Sequence, residues 1–134
     1  MANPITPEQL CKSGSEDGHQ AALFCYCAMN YTNHPQLRWL FAIPNGGSRD
    51  IREANKLLAT GVKRGVPDLC LPVPRNQYAG LFIELKRPNS LGKLAGKPSE
   101  EQLEWMDFLR EQGYMCRLCF GWEQARDCLL EYLK

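Results

Sequence analysis

The sequence predicts an α/β fold, with helices packed against a central mixed β-sheet. Three observations carry that prediction. Capped helical patterns alternate with short apolar runs of strand type, in the order α, β, α, β, β, α, β, α. Two of those runs, 68–73 and 80–86, are separated by Pro74 and Asn76 and meet Gly80, all turn formers, so they read as an antiparallel hairpin. The last run, 114–120, follows a helix, and a helical crossover can bring a strand in parallel to a neighbour.

Each element has a local reason. Thr6-Pro7-Glu8-Gln9 combines a cap, a proline at the first helical position and a glutamine three residues after the cap, the start of a short helix. Ser15 caps a longer helix through about Asn30, with His34-Pro35 beyond its end. Ala22, Leu23, Phe24 and Cys25 make that helix apolar over much of its surface, so it is expected to be buried. Residues 37–43 read as a strand, and Pro44-Asn45-Gly46-Gly47 as a turn. Ser48 is the expected cap of a helix with Ile51, Ala54, Leu57 and Leu58 on one face, and Gly61 suits its C′ position. After the hairpin comes a basic loop, 87–98, rich in Gly, Pro, Lys and Asn. Ser99-Glu100-Glu101-Gln102 is a capping-box pattern that opens a helix with Leu103, Met106 and Leu109 at helical spacing, ended by Gly113. A strand over 114–120 and a helix over 122–133 close the chain, the helix turning Ala125, Cys128, Leu129, Tyr132 and Leu133 inward.

Composition narrows the function. The 134 residues suffice for one domain, with a core expected over about 15–133. Sixteen basic against fifteen acidic residues exclude a bulk polycation, so nucleic-acid contact needs a local basic face. No apolar run is long enough to span a membrane, and the N-terminus lacks the pattern of a signal peptide, so a cytoplasmic location is expected. Seven cysteines are many. Cys116-x-x-Cys119 has no second pair or nearby histidine to complete a zinc site, and positions three apart on a strand point to opposite faces. Buried free thiols are the expectation.

The hairpin carries the chemistry. Strand alternation puts Phe82, Glu84 and Lys86 on one face. If the chain folds back about Asn76, Asp68 falls opposite Glu84, with Cβ atoms about 5 Å apart. Two carboxylates that close repel unless a cation sits between them. A hard divalent ion such as Mg²⁺ is held by one or two carboxylates plus waters and phosphate oxygens. The pattern alone therefore suggests a metal-dependent phosphate enzyme. Plainer readings stand beside it: Asp68 as a turn residue after Pro67, and Glu84 paired with Lys86 on an edge strand.

Pro67-Asp68 followed by Glu84-Leu85-Lys86 resembles the signature of the PD-(D/E)xK nuclease superfamily, whose restriction-endonuclease-like core is a mixed sheet flanked by helices. Ile43-Pro44-Asn45-Gly46-Gly47, Gly65-Val66-Pro67-Asp68-Leu69, Ser99-x-x-Gln102-x-x-Trp105 and Gly113-Tyr114 resemble one family within it. That family is the virus-type replication-repair nucleases, VRR-NUC, in their short stand-alone phage and bacterial form. The resemblance implies that Asp68, Glu84 and the backbone carbonyl of Leu85 hold Mg²⁺, with Mn²⁺ able to substitute. It implies that Glu16 completes the site directly or through a water. Lys86 would orient or help deprotonate the attacking water, and Gln102 would hold Lys86 or the water in place. Glu16 alternatively serves as a favourable charge at a helix N-terminus, and Gln102 as a capping side chain. His19 is expected on the helix surface and His34 in a loop.

The basic residues fall into three groups: Arg49, Arg52 and Lys56; Lys63 and Arg64; Arg87, Lys93 and Lys97. The last two flank the hairpin and suit phosphate contact. Asn45, Arg49, Lys63, Arg64 and Arg87 are the candidate DNA-binding residues, with recognition by backbone shape. The resemblance implies a structure-specific endodeoxyribonuclease, and the likeness of the short family members to resolvases implies a four-way (Holliday) junction resolvase working as a homodimer. The partner is branched or duplex DNA, with no membrane and no nucleotide cofactor. The rivals are a flap or general DNA nickase with the same site, and a DNA-binding protein whose nuclease site has decayed. Trp39, Trp122 and Tyr132 are candidate dimer contacts.

Overall fold

A computed structural model describes residues 3–44, 50–90 and 92–134. The helices are α1 (Pro7–Leu10), α2 (Glu16–Met29), α3 (Ile51–Ala59), α4 (Glu100–Glu111) and α5 (Trp122–Tyr132). The strands are β1 (Phe41–Ala42), β2 (Leu69–Leu71), β3 (Leu81–Lys86) and β4 (Met115–Phe120). Among the described residues they form one sheet in the order β1-β2-β3-β4. β2 and β3 are the expected antiparallel hairpin, with Leu69 opposite Ile83, Cys70 opposite Phe82 and Leu71 opposite Leu81. The chain reverses where Arg75 and Tyr78 pair, with Asn76 in the left-handed region at φ 52°. β4 arrives through α4 and runs parallel to β3.

Alternation along β3 divides the fold into layers. Leu81, Ile83 and Leu85 enter the main core beneath α2 and α5, with Ala22, Leu23, Cys27, Trp122, Ala125 and Leu129. Phe82 turns the other way, into a smaller cluster with Cys116, Met106 and Leu109 under α4. Glu84 and Lys86 extend that α4 side of the strand past the cluster. All seven cysteines are free. Cys116 and Cys119 lie on opposite sides of β4, one in each cluster.

Several elements differ from expectation. The run 37–43 is mostly not strand. Pro35 fixes the first position of a 3₁₀ helix over Pro35–Trp39, Leu37 tucks into the core, and only Phe41–Ala42 pair with β2. Asp50, not Ser48, caps α3, its side chain accepting from the Glu53 amide; Ser48 lies outside the described residues. No described residue of α3 is buried, and Ile51 is 78% exposed. Among the described residues its apolar face is only partly covered, with Ala54 and Leu57 half-buried and Ile51 and Leu58 exposed. Leu103 points outward while Met106 and Leu109 point in. Trp122 and Tyr132, expected at a dimer contact, are buried core residues, and the Tyr132 hydroxyl donates to the Val73 carbonyl at 2.6 Å. Trp39 alone of the three is exposed. Among the described residues no helix is long and apolar enough to cross a membrane.

His19 is buried rather than on the surface. α5 begins after Gly121, which has no side chain to cap it. His19 supplies the cap from α2, its Nδ1 accepting from the Trp122 N–H at 3.1 Å. An accepting Nδ1 leaves the neutral ring protonated at Nε2. Burial holds its pKa below the ordinary 6.5, against a weaker upward pull from Glu123. The unfolded chain takes up the proton first as pH falls, so this contribution is present above pH 6.5 and is lost below it. His19→Ala should cost about 1–2 kcal/mol at neutral pH, the worth of a helix cap. Urea denaturation at pH 5.5 and 7.5 should find that loss smaller at the lower pH.

Candidate active site

The site is built where the hairpin meets the start of α4. Gly65 makes that junction possible. It sits at φ +87°, and a Cβ there would come within 2.8 Å of the Glu101 carbonyl carbon. The 65–68 segment thus passes directly against the first turn of α4. Pro67 is fully buried behind it. The hairpin register, continued one residue from the Leu69–Ile83 pair, sets Asp68 opposite Glu84. The Asp68 Oδ2 accepts the Leu85 N–H at 2.8 Å, which fixes the carboxyl group against β3.

Glu84 is wholly buried at 0% exposure. Its Oε1 accepts from Gln102 Nε2 at 2.8 Å and lies 3.4 Å from Lys86 Nζ. Its Oε2 is buried and, as a carboxylate oxygen, has no donor to accept from. The Asp68 and Glu84 carboxyl groups lie in hydrogen-bonding contact, so a proton can be shared between them. Burial, and then the charge of Asp68, push its pKa up to about 8, against the pull of Lys86. Asp68 is also raised, chiefly by burial, against the Leu85 amide and Lys86. Lys86 itself is 8% exposed.

Gln102 reconciles its two expected roles in one amide. Its Oε1 accepts the Ser99 N–H at 2.8 Å, closing the capping box, while its Nε2 serves Glu84. The cap that starts α4 thereby sets the direction of the donor aimed at Glu84.

Glu16, the first residue of α2, is half-buried, and burial raises its pKa; Lys86 lowers it, and Asp68 raises it. It stands within electrostatic reach of the pair, yet no three His, Cys, Asp or Glu side chains converge as a ready metal cluster among the described residues. Asp17, not singled out from the sequence, also acts on Asp68 and Glu16. Its one signal was a second acid in the first turn of α2. Gly96 was likewise missed: a Cβ there would lie 3.2 Å from Lys86 Cδ and 3.6 Å from Glu16 Oε2. Arg87 follows Lys86, is half-buried and offsets the charge of Glu16. Lys63 and Arg64 are exposed just before Gly65. Asn45 and Arg49 lie outside the described residues.

Two facing acids, one with an orphaned buried oxygen, make a donor set that fits a hard divalent cation. The excess of carboxylates over Lys86 demands either bound protons or such an ion.

Comparison with known proteins agrees with the fold. The family model of the VRR-NUC domain matches residues 18–122, a span that holds Asp68, Glu84, Lys86 and Gln102 and begins just after Glu16. A solved structure described as a VRR_NUC domain protein superposes with a TM-score of 0.67 at 25% sequence identity. That match covers 89% of this chain and 88% of the other. No curated protein matches the sequence.

The raised Glu84 pKa has a measurable sign. Without a cation, folded Glu84 keeps a proton up to about pH 8 that the unfolded chain releases near 4.5. Stability in chelator should therefore fall as pH rises from 4.5 toward 8. Glu84→Gln, which mimics the protonated form, should flatten that fall and gain on the order of a few kcal/mol over the parent at alkaline pH. Thermal unfolding across pH in chelator measures both.

Proposed function

Because the chain belongs to the VRR-NUC nuclease family, we propose that it is a divalent-cation-dependent, structure-specific endodeoxyribonuclease. We further propose that it resolves four-way DNA junctions as a homodimer. The observation that carries the chemistry is the buried Glu84, with its unpartnered Oε2, facing Asp68. Asp68, Glu84 and the Leu85 carbonyl would hold Mg²⁺, with Mn²⁺ as a substitute and Glu16 completing the site. The ion would supply charge neutralisation at the scissile phosphate and acidify the attacking water.

The remaining work falls to the chain. Gln102 holds Glu84 Oε1 in position and leaves Oε2 uncommitted. The Leu85 amide holds Asp68 still. Lys86 Nζ orients the water and offsets charge that builds on the phosphate oxygens as the P–O bond forms and the 3′ or 5′ oxygen leaves. The reaction needs no covalent intermediate with the protein. Lys63, Arg64 and Arg87, with Asn45 and Arg49, supply contacts to backbone phosphates.

Symmetry and exposed apolar surface support the dimer reading. Paired cuts in two strands suit a two-fold assembly. Trp39 and Phe41 beside the sheet edge, and Ile51 and Leu58 on α3, are exposed apolar groups that a second copy would cover.

The test is cleavage of a labelled four-way junction in Mg²⁺, beside duplex, flap and single-strand controls. Junctions should be cut in Mg²⁺ or Mn²⁺ and left intact in chelator. Asp68→Ala and Glu84→Ala should each slow cutting by roughly a hundred- to a thousandfold or more. Cleavage that survives both changes overturns the site; cutting of flaps or plain duplex in preference to junctions overturns the substrate. Light scattering should give a dimer, and symmetric junction cutting by a strict monomer contradicts the proposed assembly.

A further inference from the structure

Leu94 is the most exposed large apolar side chain among the described residues, at 81%. It belongs to neither core cluster. A lone surface leucine is ordinary, so its placement decides whether it means anything. Three features set it apart. First, its loop is basic: Lys93 and Lys97 are exposed on either side of it, and Arg87 stands at the base. Second, the loop is braced. Ser90 and Lys93 exchange two backbone hydrogen bonds, of 3.1 and 2.8 Å. The Gly96 N–H donates to the Arg87 carbonyl at 3.0 Å, and the Ala95 N–H to the Asn89 side chain. A braced loop presents a side chain in a set direction and loses less entropy on binding. Third, the loop's return limb lies against the candidate site. Gly96 rests on Lys86 and Glu16, so closely that a Cβ there would be 3.2 Å from Lys86 Cδ. Leu94 is two residues away, within about 7 Å of chain.

The geometry points to Leu94 as a wedge that enters an opened base step of DNA beside the phosphate held at Lys86, while Lys93 and Lys97 hold the flanking phosphates. This inference rests on the nuclease reading and deepens it, since it names what selects the substrate. Apolar side chains inserted at a base step part the stacked bases, at a cost of a few kcal/mol per step. The cost is least where stacking is already broken, as at a branch point. A leucine makes no hydrogen bond to a base edge, so the wedge discriminates by shape and not by sequence. Discrimination arises because intact duplex must first be unstacked before its phosphate seats at Lys86, and a branch need not be.

The test uses the full chain and a four-way junction with 2-aminopurine beside the branch, bound in Ca²⁺ to withhold cutting. Binding of the parent protein should raise the probe's fluorescence as the base unstacks. Leu94→Ala should lose that rise. In Mg²⁺ its preference for junction over duplex should fall by about tenfold or more, the scale of one unstacked step. Its salt dependence of binding should stay as in the parent, because the phosphate contacts remain. Leu94→Phe should keep both the fluorescence rise and the preference. Unchanged fluorescence and preference in Leu94→Ala overturn the wedge and leave the nuclease reading intact. A shift of Leu94→Ala to a smaller species in light scattering also overturns it, and makes Leu94 a contact between copies. Failure of the parent protein to cut any DNA removes the nuclease reading itself.

Discussion

A carboxylate with no exposed surface governs this fold. Glu84 sits in the middle of β3 at 0% exposure, with one oxygen satisfied and the other not. A charge removed from water this fully is untenable unless neutralised, paired or bound to a cation. The neighbouring elements answer that demand in turn. The turn at Asn76 sets the register that brings Asp68 across from it. Gly65 lets the Asp68 segment lie against α4, and the Ser99 cap starts α4 where Gln102 can reach Glu84. Lys86 comes from the same strand, two residues on. Each of these is a local choice of residue, and together they build one charged pocket at the end of an otherwise apolar sheet face.

The pocket stores instability in a useful form. Asp68, Glu84 and Glu16 all have raised proton affinities, so each resists ionising without a cation beside it. A cation that favours their ionised forms reverses that preference, and its binding releases protons. The rigid sheet and helix start hold the acids and Gln102, while the groups proposed to meet DNA sit on connecting segments: Lys63 and Arg64 before the hairpin, and the 87–98 loop after it. That division is common where a stable scaffold presents a reactive site to a large, variable substrate.

Much of this was legible in the sequence because local rules and the fold agree there. The β2–β3 hairpin follows from its turn formers and alternation, and the α4 start from its capping box. The opposite placement of Cys116 and Cys119 follows from strand periodicity. What stayed hidden depends on partners distant in sequence. His19 reads as a surface residue because its partner, the Trp122 amide, is 103 residues away. Trp122 reads as an interface aromatic, yet the core takes it because α5 packs on α2 and the sheet. Tyr132 is open to both readings, and its inward helical spacing is the one the core bears out. Residues 37–43 look like a strand by composition, but Pro35 starts a 3₁₀ turn and leaves only two residues to pair. The apolar stripe of α3 has helical spacing and yet is only partly covered among the described residues, since a periodic pattern marks a sticky face without saying what covers it. Gly96 has no sequence signal at all; only the packed loop shows why a side chain there would collide with Lys86.

The central claim is that Asp68 and the free oxygen of Glu84 form a cation site. Anomalous diffraction from crystals grown with Mn²⁺ addresses it most directly. The account predicts one strong peak between the two carboxyl groups, bonded to Glu84 Oε2 at about 2.0–2.2 Å, and lost in Asp68→Asn. Mn²⁺ bound elsewhere, with Glu84 Oε2 still buried and unligated at saturating metal, would contradict it.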